Sequence, residues 1–233
     1  IVDRDRKLDV SFSAHAVDLN LDRRVDCIIF TGDQRAKDVR TQVQVFLQGT
    51  RGKDSNSPLF GTEGLPDQLL VLKGFAGNPR FDDVDGNGYP DLLVGTLRPD
   101  LIDTLRAAGG KHVRAELHVF LNRDGRFGRR PDLTYRTNVQ ASSLRVRRPV
   151  LMARFFGDVT GDGVSDLLLR DEADSLKVLM TRRTRKGLSI HSRALWTLTI
   201  DRHATVRLPA ARRGRTPEIL VLERSQILRV RFE

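Results

Sequence analysis

The chain has 233 residues and a formal net charge of +10 at pH 7, with 39% hydrophobic and 30% charged residues. This balance is that of a folded globular chain and excludes a disordered one. No apolar run approaches the ~20 residues that cross a bilayer, so no membrane span is predicted. The arginine clusters are short, widely separated and without interleaved aromatic residues, so nucleic acid is not an expected partner.

Alternation of apolar and polar residues at a period of two predicts β-strands along the whole chain. We interpret the chain as one domain of four units, at approximately 8–76, 78–139, 150–200 and 202–233. The predicted strands lie at 10–16, 27–30, 43–47 and 68–75 in the first unit, at 92–94 and 117–121 in the second, at 151–155, 167–169, 176–180 and 194–200 in the third, and at 204–208, 219–222 and 226–232 in the fourth. Four-stranded units repeated along a chain are typical of β-propeller blades.

Two segments depart from this pattern. Residues 99–110 have a proline at the start and two glycines at the end, which predicts a short helix inserted in the second unit. Residues 50–66 are rich in Gly, Ser, Asn and Pro, which predicts a surface loop in the first unit. The only cysteine, Cys27, excludes an internal disulfide, and its apolar surroundings predict a buried, unreactive thiol.

Three nine-residue segments superpose without gaps, each between the first and second strands of a unit. They are loop one (18–26, DLNLDRRVD), loop two (83–91, DVDGNGYPD) and loop three (158–166, DVTGDGVSD). All three have oxygen-bearing side chains at loop positions 1, 3, 5 and 9. These candidate ligands are Asp18, Asn20, Asp22 and Asp26 in loop one, Asp83, Asp85, Asn87 and Asp91 in loop two, and Asp158, Thr160, Asp162 and Asp166 in loop three.

Such a loop suits a hard divalent cation, since calcium takes six to eight oxygen ligands at ~2.3–2.6 Å. Alternate side chains at positions 1, 3 and 5 point inward in a tight turn, and the position-9 carboxylate completes the site. The backbone carbonyl at position 7, that of Tyr89 or Val164, would add a ligand. We therefore predict Ca²⁺ in loops two and three.

Glycine at positions 4 and 6 allows positive φ angles that wrap the chain around an ion. Loops two and three have glycine at both positions, but loop one has Leu21 and Arg23. Loop one is therefore predicted to be a weaker or empty site. An EF-hand is excluded, because position 12 is Val94 or Leu169 instead of Glu. A metal-free Asx-rich turn remains as the alternative for these segments.

A fourth, eroded copy of the segment ends at Glu218, which aligns with Asp166. Ala210, Arg212 and Gly214 occupy positions 1, 3 and 5, so no cation site is predicted there.

The fourth unit has three predicted strands. We expect its strand 226–232 to be paired along the outer edge by a segment preceding Ile1 or by a partner chain, because exposed strand edges are rarely tolerated. The alternating Leu228, Val230 and Phe232 are expected to face the neighbouring sheet.

The run 81–95 (FDDVDGNGYPDLLVG), followed by 119–127 (VFLNRDGRF), resembles the FG-GAP/VCBS repeat family, which includes integrin α-subunit propellers and many secreted bacterial proteins. Residues 155–169 are similar to it to the same degree, and 18–30 share its ligand pattern. The resemblance implies a β-propeller, typically seven-bladed, with calcium held by the ligand positions already named. Four blades are too few for that ring, so the missing blades would precede Ile1 or come from another chain.

The expected function follows from this resemblance. Structural calcium suits an extracellular, periplasmic or cell-surface protein, and the chain is interpreted as a calcium-stabilised binding or adhesion module for a protein or glycan. One alternative is a structural subunit of a larger extracellular or envelope assembly. Another is an enzyme similar to the polysaccharide lyases that are built on calcium-bearing propellers. The sequence contains no catalytic motif and only scattered histidines, so no catalytic residue is assigned.

Overall fold

The computed structural model describes residues 10–33, 40–48, 65–97, 112–140, 153–171, 174–185, 187–201, 203–209 and 217–232. Over these ranges the chain is all-β and has no helix. The helix predicted at 99–110 and most of the loop predicted at 50–66 lie outside the described residues. Within the described part of the chain there is no helix with the length and hydropathy needed to cross a membrane.

The strands form four antiparallel sheets that follow one another along the chain. Sheet one contains β1 (Val10–Val17), β2 (Asp26–Asp33), β3 (Arg40–Phe46) and β4 (Gln68–Lys73). Sheet two contains β5 (Phe75–Asp82), β6 (Asp91–Leu97) and β7 (His112–Phe120), then the small hairpin of β8 (Asn122–Arg123) and β9 (Arg126–Phe127), and finally its fourth strand β10 (Leu133–Gln140). Sheet three contains β11 (Ala153–Phe155), β12 (Leu167–Asp171), β13 (Ser175–Thr184) and β14 (Gly187–Thr199), and sheet four contains β15 (Thr205–Arg207), β16 (Glu218–Leu222) and β17 (Ile227–Arg231).

Each sheet is an up-and-down meander, so its neighbouring strands are consecutive apart from the hairpin inserted between β7 and β10. The predicted arrangement of four strands per unit is confirmed for the first three units. Several strand boundaries are wrong, and β14, predicted to begin at 194, already begins at Gly187. The strand predicted at 68–75 ends at Lys73, because Gly74 adopts a positive φ of 94° and turns the chain into β5. Thr41 fixes this turn by donating its hydroxyl to the Gly74 carbonyl at 2.9 Å.

Three hydrophobic clusters lie between successive sheets, so the four sheets stack face to face in chain order. Sheets one and two bury Ile28, Phe30, Val43 and Val45 against Leu92, Val94, Phe120 and Phe127. Sheets two and three bury Leu93, Leu117 and Val119 against Phe155, Leu167, Leu169 and Leu179. Sheets three and four bury Leu168, Leu176 and Val178 against Val206, Ile219 and Val221. Each fully buried side chain of this size contributes about 1.5–3 kcal/mol.

The last strand packs as predicted on one side. Leu228, Val230 and Phe232 lie against the cluster shared with sheet three, and the Phe232 ring meets those of Phe156 and Trp196 edge-on at 5.6 and 5.5 Å. Among the described residues β17 pairs with β16 alone. The predicted pairing of its other edge therefore stays a prediction.

The outer face of sheet one carries apolar side chains of β1, β2 and β4. Phe12 alternates with polar residues as predicted, but it is 66% exposed, while His15 on the opposite face packs its ring edge-on against Phe30 at 5.6 Å. Cys27 shares the outer face and is only partly buried, so the prediction of a buried thiol is wrong. Leu69 and Val71 on β4 are also about half exposed there (50% and 51%). No described element covers this face.

Candidate metal centres

The three loops follow the same backbone path. Positions 4 and 6 have positive φ in each, at 72° and 91° for the glycines of loop two and at 78° and 83° for those of loop three. In loop one the same angles are adopted by Leu21 (59°) and Arg23 (67°), although side chains disfavour this region. Loop one therefore keeps the geometry of the repeat despite its missing glycines.

The position-9 carboxylate joins each loop to the rest of its sheet. Asp26, Asp91 and Asp166 are fully buried, and both oxygens of each accept a backbone N–H. One donor is the residue at position 2, and the other lies on or just after the third strand. The donor pairs are Leu19 and Gln48 for Asp26, Val84 and Asn122 for Asp91, and Val159 and Thr181 for Asp166.

Two further hydrogen bonds recur in all three loops. The position-6 N–H donates to the position-1 carboxylate, at 3.0 Å in loops one and two and 2.7 Å in loop three. The position-7 N–H donates to the position-5 side-chain oxygen at 2.9, 2.8 and 3.0 Å, respectively. Because each oxygen has a second lone pair, these bonds orient the side chains and still leave them able to bind a cation.

Loop two brings three carboxylates together. One oxygen each from Asp83, Asp85 and Asp91 lies within 4.8 Å of the others. Ligands on opposite sides of a Ca²⁺ ion are about 4.6–5.2 Å apart when each bond is ~2.3–2.6 Å, so this spacing suits a single hard cation. Loop two is the place in the described chain where three such groups lie this close.

Burial raises the free-energy cost of ionising the position-9 carboxyl groups. The pKa of Asp91 is raised to about 7, first by desolvation and then by the charges of Asp85 and Asp83, although the N–H donors from Asn122 and Val84 act in the opposite direction. Desolvation also raises the pKa of Asp26 and of Asp166. A bound cation would favour the ionised form of these carboxyl groups.

The side chains of Asn20 and Thr160 interact within their own loops, whereas that of Asn87 also reaches outside loop two. In loop one, the Asn20 amide donates to Asp22 at 3.2 Å. In loop three, the Thr160 hydroxyl donates to Asp158 at 3.3 Å. In loop two, Asn87 directs its amide to the backbone carbonyl of Asn122 at 2.9 Å and its oxygen to Tyr89, which leaves that oxygen on the loop side.

Sequence reasoning missed Asn122, a fully buried side chain between loops one and two. Its amide donates to the Leu19 carbonyl at 2.8 Å and to the Pro90 carbonyl at 3.0 Å, and its side-chain oxygen accepts the Gly125 N–H at 2.8 Å. The signal available in the sequence was the Asn-Arg-Asp-Gly turn at 122–125, within the run that resembles the repeat family.

Loops two and three also touch. The Ser165 N–H donates to the Val84 carbonyl at 2.8 Å. A Cβ added to Gly86 would lie 2.5 Å from the Gly163 carbonyl oxygen. Glycine at position 4 of loop two is therefore required by this close contact as well as by the positive φ. The three loops thus form one continuous row along the same end of the stacked sheets.

In the fourth unit the structure describes only the end of the aligned segment, from Pro217. Glu218, aligned with Asp166, instead forms ion pairs with Arg229 at 2.7 Å and Arg231 at 3.5 Å on neighbouring β17. His118 is a packing residue, since its ring lies between the hydroxyls of Thr96 and Thr134 at 3.0 and 3.2 Å.

No protein-family model matches the chain, and no curated protein matches it at a significant level of similarity.

Proposed function

We propose that this chain is a calcium-stabilised segment of a β-propeller and acts as a binding or adhesion module for a protein or glycan. The observation that carries the proposal is the cluster of three carboxylates, from Asp83, Asp85 and Asp91, in the loop between the first two strands of one sheet. Loops with the same backbone geometry occur at the same place in two other sheets. Stacking of four sheets in chain order supports the propeller part of the proposal. The repeat supports FG-GAP/VCBS-like blades.

In this proposal the chain's own residues hold the loops in place and orient the ligand oxygens. Buried position-9 carboxylates connect each loop to its third strand, and the position-1 and position-5 oxygens are held by backbone N–H groups. Bound calcium would offset two of the three negative charges of loop two and so stabilise the stacked sheets. A calcium concentration of ~1 mM acting on a ~10 μM site contributes about 2.7 kcal/mol. That concentration is typical of extracellular, periplasmic or cell-surface locations, which are the proposed ones.

A second candidate is a structural subunit of a larger extracellular or envelope assembly. The observation that favours it is the outer face of sheet one, where Phe12, Leu69 and Val71 are half or more exposed. We infer that these apolar side chains, on the two edge strands β1 and β4 of the sheet, contact another chain or segment. Further blades of the proposed ring would pack against this face.

Calcium stoichiometry tests the core of the proposal. The purified chain, dialysed to equilibrium against ~100 μM calcium, should bind at least one ion above the buffer level for a ~10 μM site, and the loss of that ion in Asp85→Asn should identify loop two. A chain that retains no calcium and gives no binding heat on titration would refute the proposal. Two assays would then distinguish the functions. Calcium-dependent binding on a glycan array would indicate a binding module, and unsaturated products released from anionic polysaccharides would indicate a lyase.

A further inference from the structure

Loop two already has a positive charge beside it. Arg183, near the tip of the β13–β14 hairpin of sheet three, places its Nη2 atom 3.3 Å from the Asp85 carboxylate and 2.6 Å from the Asp85 backbone carbonyl oxygen. The Asp85 side chain is 6% exposed, whereas that of Arg183 is 60% exposed. The guanidinium therefore approaches the buried ligand from the solvent side.

The hairpin that supplies Arg183 is fixed against sheet two. The Leu188 N–H donates to the Asp132 carbonyl at 3.2 Å, and a Cβ on Gly187 would lie only 2.6 Å from the same oxygen. Gly187 has a positive φ of 124°, so the close approach and the turn both require glycine. This anchoring, and not chance rotation of a long side chain, brings Arg183 to the loop.

The three loops differ in ligand charge at positions 3 and 5. Loop two has Asp85 at position 3, whereas loop one has Asn20 and loop three has Thr160; at position 5 loop two has Asn87 and the other two loops have aspartate. The arginine thus pairs with the one position-3 ligand that is a carboxylate. A cation bound in loop two would have to share the Asp85 carboxylate with this guanidinium.

We propose that Arg183 sets the cation affinity of loop two by acting as a fixed competing charge on Asp85. The inference rests on the proposed calcium function. A +1 and a +2 charge roughly 6 Å apart, in largely aqueous and salt-screened surroundings, weaken binding about 3- to 10-fold. The hydrogen bond from Arg183 to the Asp85 carbonyl opposes this effect by ordering the loop. The repulsion between the guanidinium and the bound cation outweighs this ordering. Because the arginine is mostly exposed, water can replace its hydrogen bond to the carbonyl.

The test uses Tb³⁺ as the probe, because it takes the same oxygen ligands as Ca²⁺ and emits when excited through a nearby tyrosine. Tyr89 lies within loop two, and Tyr89→Phe removes the phenol but keeps the backbone carbonyl, so loss of emission in this variant assigns the signal to loop two. Displacement of Tb³⁺ by Ca²⁺ then gives the calcium affinity. Wild type, Arg183→Gln, Arg183→Lys and Arg182→Gln are compared in this assay.

Arg183→Gln should bind calcium about 3- to 10-fold more tightly. Arg183→Lys, which retains the charge, and Arg182→Gln, which removes an equal charge from the adjacent exposed residue, should each stay within about twofold of wild type. Unchanged melting in chelator would show that the variants fold normally. An unchanged or weaker affinity in Arg183→Gln, or an equal gain in Arg182→Gln, would overturn the inference while leaving the calcium site intact. Wild type that binds neither Tb³⁺ nor Ca²⁺ would overturn the proposed function and this inference with it.

Discussion

Asp85→Asn is the sharpest perturbation of the proposed calcium site. Asparagine has almost the same shape and retains an oxygen that can accept the Asn87 N–H, which donates to Asp85 at 3.3 Å. The substitution removes one of the three charges gathered within 4.8 Å. Its effect on stability should therefore depend on whether calcium is present.

The size of the effect follows from binding linkage. Loss of one charged ligand is expected to weaken the site roughly 10- to 100-fold. With ~1 mM calcium and a ~10 μM site, the variant then loses about 1.3–2.3 kcal/mol of calcium-derived stability. At about 2–4 °C per kcal/mol for a chain of this size, the melting temperature should fall by roughly 3–9 °C.

In chelator the same substitution should be nearly neutral. The lost contact with Arg183 joins a buried carboxylate to a mostly exposed guanidinium, and solvent screening on the arginine side limits its contribution to about 1 kcal/mol. Its loss is offset because the repulsion among the remaining carboxylates falls.

Thermal melts in calcium and in chelator measure both differences. Asp201→Asn is the matched control, since this carboxylate lies outside the loops and accepts the His203 N–H at 2.6 Å; its effect should be the same in both buffers. If Asp85→Asn destabilises the protein equally with and without calcium, or if chelator leaves the wild-type melting curve unmoved, the reasoning is refuted.

Three further predictions concern pH, backbone strain and the link between loops. The pKa of Asp91 is about 7 in the folded protein, against about 3.9 in an unfolded chain. Without calcium, the free energy of unfolding should therefore fall as the pH rises from about 4 through 7, and Asp91 should account for up to about 4 kcal/mol of this fall. Urea denaturation of wild type and Asp91→Asn at several pH values isolates this slope, and a wild-type stability that rises relative to the variant would contradict it. Leu21→Gly should leave the unfolding free energy within about 0.5 kcal/mol of wild type or raise it, since glycine relieves the left-handed backbone. Leu69→Gly, at similar exposure (50% against 51%) but paired with Gln44 in β4, should be clearly destabilising, and an equal loss at both sites would count against strain. Asn122→Ala should cost about 3 kcal/mol or more, because it leaves buried backbone groups of both loops without partners; a loss below about 1 kcal/mol in the same denaturation assay would disprove its linking role.

The sequence alone predicted the strands and the loops well, because both depend on short-range patterns. Period-two alternation and the apolar runs after the loops identified the strands of the first and third units, but only those at 92–94 and 117–121 in the second. The spacing of Asp83, Asp85 and Asp91 identified a loop whose hydrogen bonds mostly stay within nine residues. Even Leu21 and Arg23 of loop one adopt the backbone that the gapless alignment implies.

Only the tertiary structure decided which faces and which distant residues meet. Alternation marked both faces of β1 as distinct, yet the packed face carries His15 and the exposed one carries Phe12, because β1 takes its orientation from pairing with β2. Asn122 reaches Leu19 across 103 residues and Arg183 reaches Asp85 across 98. Such contacts depend on how whole sheets stack, and stacking is set by the summed burial of many apolar side chains, which no local spacing in the sequence encodes.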